Sequence, residues 1–154
     1  MEAECCPDID LSAWDAKTIS WKSKPFYVVK IPAFFNTPIG FESAASKAIA
    51  AIEKNYGKAE PFIILARHAG LFSVKLFFAL DEAVHSGPGV ETLSGTFLTK
   101  SFAGKYSDKS KWEKETMEYA KSKTGVEPRE LFFWYSNLKR GQGLLKTVVF
   151  AKVD

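Results

Sequence analysis

Few side chains in this sequence have the type and spacing that chemistry requires. His68 follows Arg67 between two apolar runs, and its imidazole is suited to moving a proton near neutral pH. His85 stands in the loop sequence His85-Ser86-Gly87-Pro88-Gly89, where a histidine is ordinarily solvated. Tyr135 and Lys75 offer a hydroxyl and an ammonium, either of which stabilises negative charge on a leaving side. Glu91 precedes one apolar run and Glu130 opens another; as carboxylates they are candidates for orienting water, against the plain alternative that both are solvated. There is no Gly-x-Ser-x-Gly elbow, P-loop, dinucleotide fingerprint or His-Glu-x-x-His helix. Cys5 and Cys6 are adjacent and cannot staple distant segments, and two thiols without nearby histidines are an incomplete zinc site. Neither histidine shows an axial-ligand environment for haem. No metal and no cofactor are expected.

These residues must be positioned by a chain of 154 residues, the ordinary size of one domain. Hydrophobic residues make up 46%, which is globular, but aromatics reach 14% and thirteen of them are Phe. The net charge of +3 is spread over 21 basic and 18 acidic residues without long runs, so nucleic acid is not an expected partner. No apolar stretch approaches a membrane span and the first ten residues are acidic and polar, so the expectation is no membrane partner and a cytoplasmic, reducing location.

Residues 1–24 show little periodicity, and Trp14 and Trp21 predict an arm pinned across a single domain of residues 25–154. Pro25 to Phe35 reads as a strand, Phe41 to Tyr56 as a helix with Ala45, Ala48, Ile49 and Ile52 on one face, and Pro61 to Ala66 and Phe72 to Leu80 as two further strands. After the Gly87-Pro88-Gly89 break the order returns: a strand over Thr92 to Phe102, a helix over Lys111 to Lys123, and strands over Glu130 to Ser136 and Lys146 to Val153. The last two are joined by the basic loop Leu138-Lys139-Arg140-Gly141. Leu71 to Asp81 superposes in pattern on Leu144 to Asp154. The spacing therefore predicts an α+β fold: a strand-helix-strand-strand unit duplicated over residues 25–84 and 91–154, forming an antiparallel sheet with two helices on one face and a ligand cleft on the other.

Alternation places Val74, Leu76 and Phe78 under a helix, with Lys75 and Phe77 on the opposite face, where the repeat adds Val148, Phe150 and Lys152. In Leu131-Phe132-Phe133-Trp134-Tyr135 the two alternating sets are both apolar, so parity does not say which meets the helix. An aromatic face with a few polar tips suits a flat ligand. Phe35, Lys75, Phe77, Trp112, Phe133, Tyr135 and Phe150 are the expected ligand-binding residues, unless the Trp14 and Trp21 arm covers this face as ordinary core.

The stretch Leu93-Ser94-Gly95-Thr96-Phe97, the Gly104-Lys105-Tyr106 turn, the Trp112 helix and the strand Leu131 to Tyr135 together resemble the GyrI-like small-molecule-binding family. The resemblance covers roughly residues 12 to 153. It implies paired strand-helix-strand-strand repeats and a cleft for flat hydrophobic or aromatic compounds. Some members hydrolyse cyclopropane-bearing alkylating compounds, so the first expectation is drug or toxin binding and the second is such a hydrolase. Its water would add to a strained carbon with help from Tyr135, His68, Glu130 or Glu91. A third class is a protein-interaction module with an open aromatic face. Ligand-binding members usually present a buried carboxylate from a cleft strand, whereas here the expected cleft face carries Lys75 and the final strand Lys152 and no acid, which favours anionic or neutral ligands over cations. A monomer or weak dimer is expected.

Overall fold

The computed structural model describes residues 9–35, 37–57, 63–68, 70–135 and 145–154. Cys5, Cys6, residues 61 and 62 and the Leu138–Gly141 loop lie outside them. Among the described residues the order is α1 (Leu11–Trp14), β1 (Thr18–Phe34), β2 (Thr37–Pro38), α2 (Phe41–Tyr56), β3 (Ile64–His68), β4 (Ser73–Ala79), β5 (Val90–Gly104), a 3-10 turn (Tyr106–Asp108), α3 (Lys109–Thr124), β6 (Glu130–Tyr135) and β7 (Leu145–Lys152). Helices and strands are mixed and the strand pairs described below are antiparallel. The chain packs as two compact units, one of Ser23–Leu93 and one that joins residues 9–22 to Ser94–Asp154.

In the first unit β4 lies between β1 and β3, with registers Phe26↔Ala79 to Pro32↔Ser73 and Ile64↔Phe78 to His68↔Val74. α2 buries Phe41, Ala45, Ala48 and Ile52, one face at helical spacing, and stops at Gly57. Tyr27, cross-strand from Phe78, meets Tyr56 of α2 at 6.4 Å between ring centroids. Val74, Leu76 and Phe78 therefore lie on the α2 side and Lys75 and Phe77 on the other. Phe77 is nonetheless fully buried, with Phe26 edge-on at 6.0 Å.

In the second unit β7 is central, pairing β5 from Phe97↔Lys152 to Gly104↔Leu145 and β6 from Glu130↔Lys152 to Tyr135↔Thr147. α3 starts at Lys109 directly after the 3-10 turn and ends at Gly125, whose left-handed φ of 73° returns its N–H to Lys121 O at 2.7 Å. Its Ala120 and Tyr119 pack on Leu98, Ala151, Val153 and Leu131. The other face of this sheet is covered by residues 9–22. Trp14 meets Trp134 edge-on at 5.2 Å, Trp21 stacks on Phe150 at 5.7 Å, and Thr99 exchanges backbone hydrogen bonds with Ala16 and Lys17.

β1 and β5 are among the elements that begin earlier than their sequence suggests. β1 starts at Thr18 because Ile19 and Trp21 turn inward between exposed Thr18, Ser20 and Lys22, an alternation hidden by the polar composition. Ser23, at φ 52°, marks where the strand passes between units. β5 starts at Val90 and survives Gly95, where a Cβ would meet Asp154 Oδ1 and Lys152 Cε at 3.0 Å. Glycine is required there by that close approach and by a φ of 137°.

Candidate active site

Cross-strand pairing stacks three rows on the α3 side of the second unit: Leu98–Ala151–Leu131, Lys100–Val149–Phe133 and Phe102–Thr147–Tyr135. The structure thus resolves the ambiguity of β6. Leu131, Phe133 and Tyr135 face the helix, while Phe132 and Trp134 turn toward Phe97 and Trp14.

The first row is plain apolar core, but polarity rises along the other two. Trp112 stacks on Phe102 at 5.8 Å, Tyr106 meets Tyr135 at 5.5 Å, and the Lys109 ammonium lies 4.8 Å from the centre of the Phe133 ring. One helical turn on, Glu113 accepts from Lys109 Nζ at 3.0 Å, an i,i+4 pair on the α3 surface next to the sheet. Lys109 is largely buried and Glu113 partly exposed, so this carboxylate is fixed in direction while still reached by water.

The two tyrosines form a hydroxyl pair. Burial pushes the Tyr106 hydroxyl up to about 12, opposed by its hydrogen bond with Tyr135 and assisted by Glu113. Burial likewise raises Tyr135 well above the usual phenol range, with Tyr106 and Glu113 adding to it. Both phenols are therefore protonated, proton-donating groups at neutral pH. Thr147, between Phe102 and Tyr135, is fully buried, and its Oγ1 has no hydrogen-bond partner among the described residues. A buried hydroxyl in that state costs folding free energy.

Of the residues singled out from sequence, Trp112, Phe133 and Tyr135 are brought together here. Phe150 belongs to the same unit but to the opposite face, fully buried against Trp14 and Trp21. Glu130 also points away from Tyr135, since the two differ in strand parity. His68, Glu91, Phe35, Lys75 and Phe77 belong to the first unit. There Glu91 accepts from Lys75 Nζ at 3.3 Å, His68 lies cross-strand from Val74, and Phe35 is exposed in the turn after β1. Sequence reasoning missed Tyr106, Lys109, Glu113 and Thr147; the available signal was Lys109-x-x-x-Glu113 following Tyr106 into a helix.

Among the described residues no group of three or more His, Cys, Asp or Glu side chains is placed to hold a metal ion, and no helix is long and apolar enough to cross a membrane. A carboxylate, protonated phenols and an aromatic floor are parts suited to adding water across a polarised bond. No curated protein matches the chain. A family model described as bacterial hydrolase matches residues 1–141, which takes in Tyr106, Lys109, Glu113 and Tyr135 but not β7, and the chain belongs to that family.

Proposed function

We propose that the protein is a hydrolase whose reaction takes place on the α3 side of the second unit, and that its substrate is a flat, hydrophobic electrophile. The observation that carries this is the Tyr106–Tyr135 hydroxyl pair standing under the electrostatic influence of the Glu113 carboxylate, above an aromatic floor. Membership of a hydrolase family supports it.

The GyrI-like resemblance suggests an activated cyclopropane conjugated to a carbonyl as the substrate. Its plane would lie at the half-buried Phe102 and Tyr106 rings, which border buried Trp112 and Tyr135. Water attacks the strained carbon and gives its proton to Glu113. The breaking C–C bond sends its electron pair into the conjugated carbonyl, and the resulting oxyanion takes a proton or hydrogen bond from Tyr135. Lys109 orients Glu113, and Tyr106 holds the Tyr135 hydroxyl. Thr147 packs beneath Tyr135 and Phe102.

The test is product formation from an activated cyclopropane by the wild type and by Glu113→Gln and Tyr135→Phe. Removing a general base lowers the rate by about two to four orders of magnitude, and loss of one hydrogen-bond donor costs less. His68→Ala, Glu91→Gln and Glu130→Gln are expected to leave turnover near wild type. Saturable quenching of tryptophan emission without product from the wild type leaves a binding protein and removes the hydrolase; turnover unchanged in Glu113→Gln removes this site.

A further inference from the structure

Tyr106 and Lys109 both stand in the short joint between β5 and α3, and the joint is closed by a side chain that the proposed reaction does not use. Asp108 immediately precedes α3, but its carboxylate turns back. Its Oδ2 accepts from Lys105 N–H at 3.2 Å, while Asp108 N–H donates to Lys105 O at 2.9 Å. The two bonds close a ring around the 3-10 turn Tyr106–Asp108, with Tyr106 inside it and Lys109 directly after. Asp108 itself is exposed, yet the ring it encloses carries the half-buried Tyr106, whose side chain lies 5.5 Å from that of buried Tyr135 between centroids.

The strand leading into the joint is fitted to that carboxylate. Gly104 is buried and pairs with Leu145 at the end of β5. A Cβ added there would lie 2.9 Å from Asp108 Oδ2 and 3.0 Å from Trp112 Cζ2. Its φ is not positive, so the lack of space is the reason for a glycine at this position. The oxygen that a Cβ would strike is the same one that accepts from Lys105 N–H. Downstream, Trp112 is stacked on Phe102 at an interplanar angle of 16°. The joint is thus held by the sheet at Gly104 and by the helix at Trp112, with the Asp108 carboxylate wedged between them.

We propose that Asp108 is a positioning residue: through its ring with Lys105, in the space that Gly104 leaves for it, it holds the Tyr106 side chain against Tyr135 and starts α3 at Lys109, the partner of Glu113. The inference rests on the hydrolase reading for the reaction that these groups serve. The role needs a hydrogen-bond acceptor and no negative charge. An asparagine oxygen closes the same ring, and an alanine does not. One hydrogen bond at an exposed site is too weak to decide whether the chain folds, but misplacing a reacting group by about 1 Å costs roughly a hundredfold in rate.

The experiment has two readouts, phenol titration followed by ultraviolet absorbance and turnover of an activated cyclopropane, on the full chain as wild type, Asp108→Ala, Asp108→Asn and Gly104→Ala. The Tyr106 step is isolated by subtracting the curve of the same protein carrying Tyr106→Phe. Burial holds that step at about 12 in the wild type. In Asp108→Ala it is expected to fall toward the ordinary phenol value of about 10 as the ring swings into water, with turnover lowered roughly ten- to a hundredfold. Asp108→Asn is expected to keep both close to wild type. Gly104→Ala pushes Asp108 Oδ2 off Lys105 N–H and is expected to follow Asp108→Ala, each at unchanged far-ultraviolet circular dichroism; if it does not fold, the two Asp108 variants decide. A Tyr106 step that moves in Asp108→Ala, with no product even from the wild type, removes the hydrolase reading and supports the joint. An unmoved step in Asp108→Ala, or turnover lost in Asp108→Asn as for a carboxylate that takes part in the chemistry, overturns the proposal.

Discussion

β4 and β7 are the central strands of their units, and each carries a phenylalanine at the same place, Phe77 and Phe150, on the face away from its helix. Both rings are fully buried, but by different neighbours. The Phe150 ring is packed between indoles, with Trp21 stacked at 5.7 Å and Trp14 tilted at 5.9 Å. The Phe77 ring has Phe26 on edge and cations nearby, Lys75 Nζ at 5.6 Å and Arg67 Cζ at 5.9 Å. One pattern of alternation thus supports a dry aromatic layer in one unit and a charged row in the other. The lesson is that periodicity specifies which residues share a face, while the covering segment decides what that face becomes.

The largest effect expected from this difference is Phe150→Ala. Removing a buried ring between two indoles should lower stability by about 3–5 kcal/mol in urea unfolding. Phe34→Ser in the first unit should stay within about 0.5 kcal/mol. A Phe150→Ala loss as small as that of Phe34→Ser would mean that the indole layer does not hold the second unit together.

Alkaline titration should separate the second unit's hydroxyl pair from ordinary tyrosines. Tyr106 and Tyr135 have folded pKa values above the unfolded value near 10, so their contribution is complete below pH 10. Above it the unfolded chain loses phenol protons first, and stability should fall through the value of about 12 at Tyr106. The combined Tyr106→Phe and Tyr135→Phe variant should show a shallower decline. An identical slope would mean that the pair is as solvated as the rest.

Thr147→Val removes a buried hydroxyl that has no partner among the described residues and should be neutral or stabilising by up to about 1 kcal/mol in thermal unfolding. A clear loss of stability would show that the hydroxyl has a partner in solution. The smallest effect is Lys30→Glu, which replaces a like-charge neighbour of Lys75 by an opposite one and should stabilise the first unit by about 0.2–1 kcal/mol, less at high salt. A destabilising result would show that Lys30 and Lys75 do not repel each other across the strands.

Much of the framework was legible because single residues marked it. Ala45, Ala48 and Ile52 with Gly57 gave α2 its face and its end, and the alternation of Val74, Leu76 and Phe78 gave β4 its parity. β6 was opaque for a physical reason: with Leu, Phe, Phe, Trp and Tyr in succession, both faces satisfy burial, so only the packing of α3 and the Trp14 segment decides between them. The candidate site was legible only in part. Trp112, Phe133 and Tyr135 announced themselves by ring type, whereas Glu113 and Lys109 look like a solvated helix surface until Phe133 and the tyrosines are placed beneath them. Thr147 gave no signal, because a threonine suits any strand.

The second unit is assembled from two stretches of chain, residues 9–22 and Ser94–Asp154, with the whole of Ser23–Leu93 made between them. During synthesis the Trp14 and Trp21 indoles leave the ribosome long before Phe97, Trp134 and Phe150 exist to receive them. They must wait in solution or rest on temporary neighbours, and joining them later closes a long loop whose entropy is lost before the ring contacts return it. A fragment starting at Ser94 would contain every strand of β5 to β7 within that unit and the α3 helix, yet would expose Phe150, Phe97 and Trp134 together. The nascent chain therefore passes through a stage at which the Trp14 and Trp21 indoles have no sheet to cover, and a holding chaperone would find them then rather than in the finished protein.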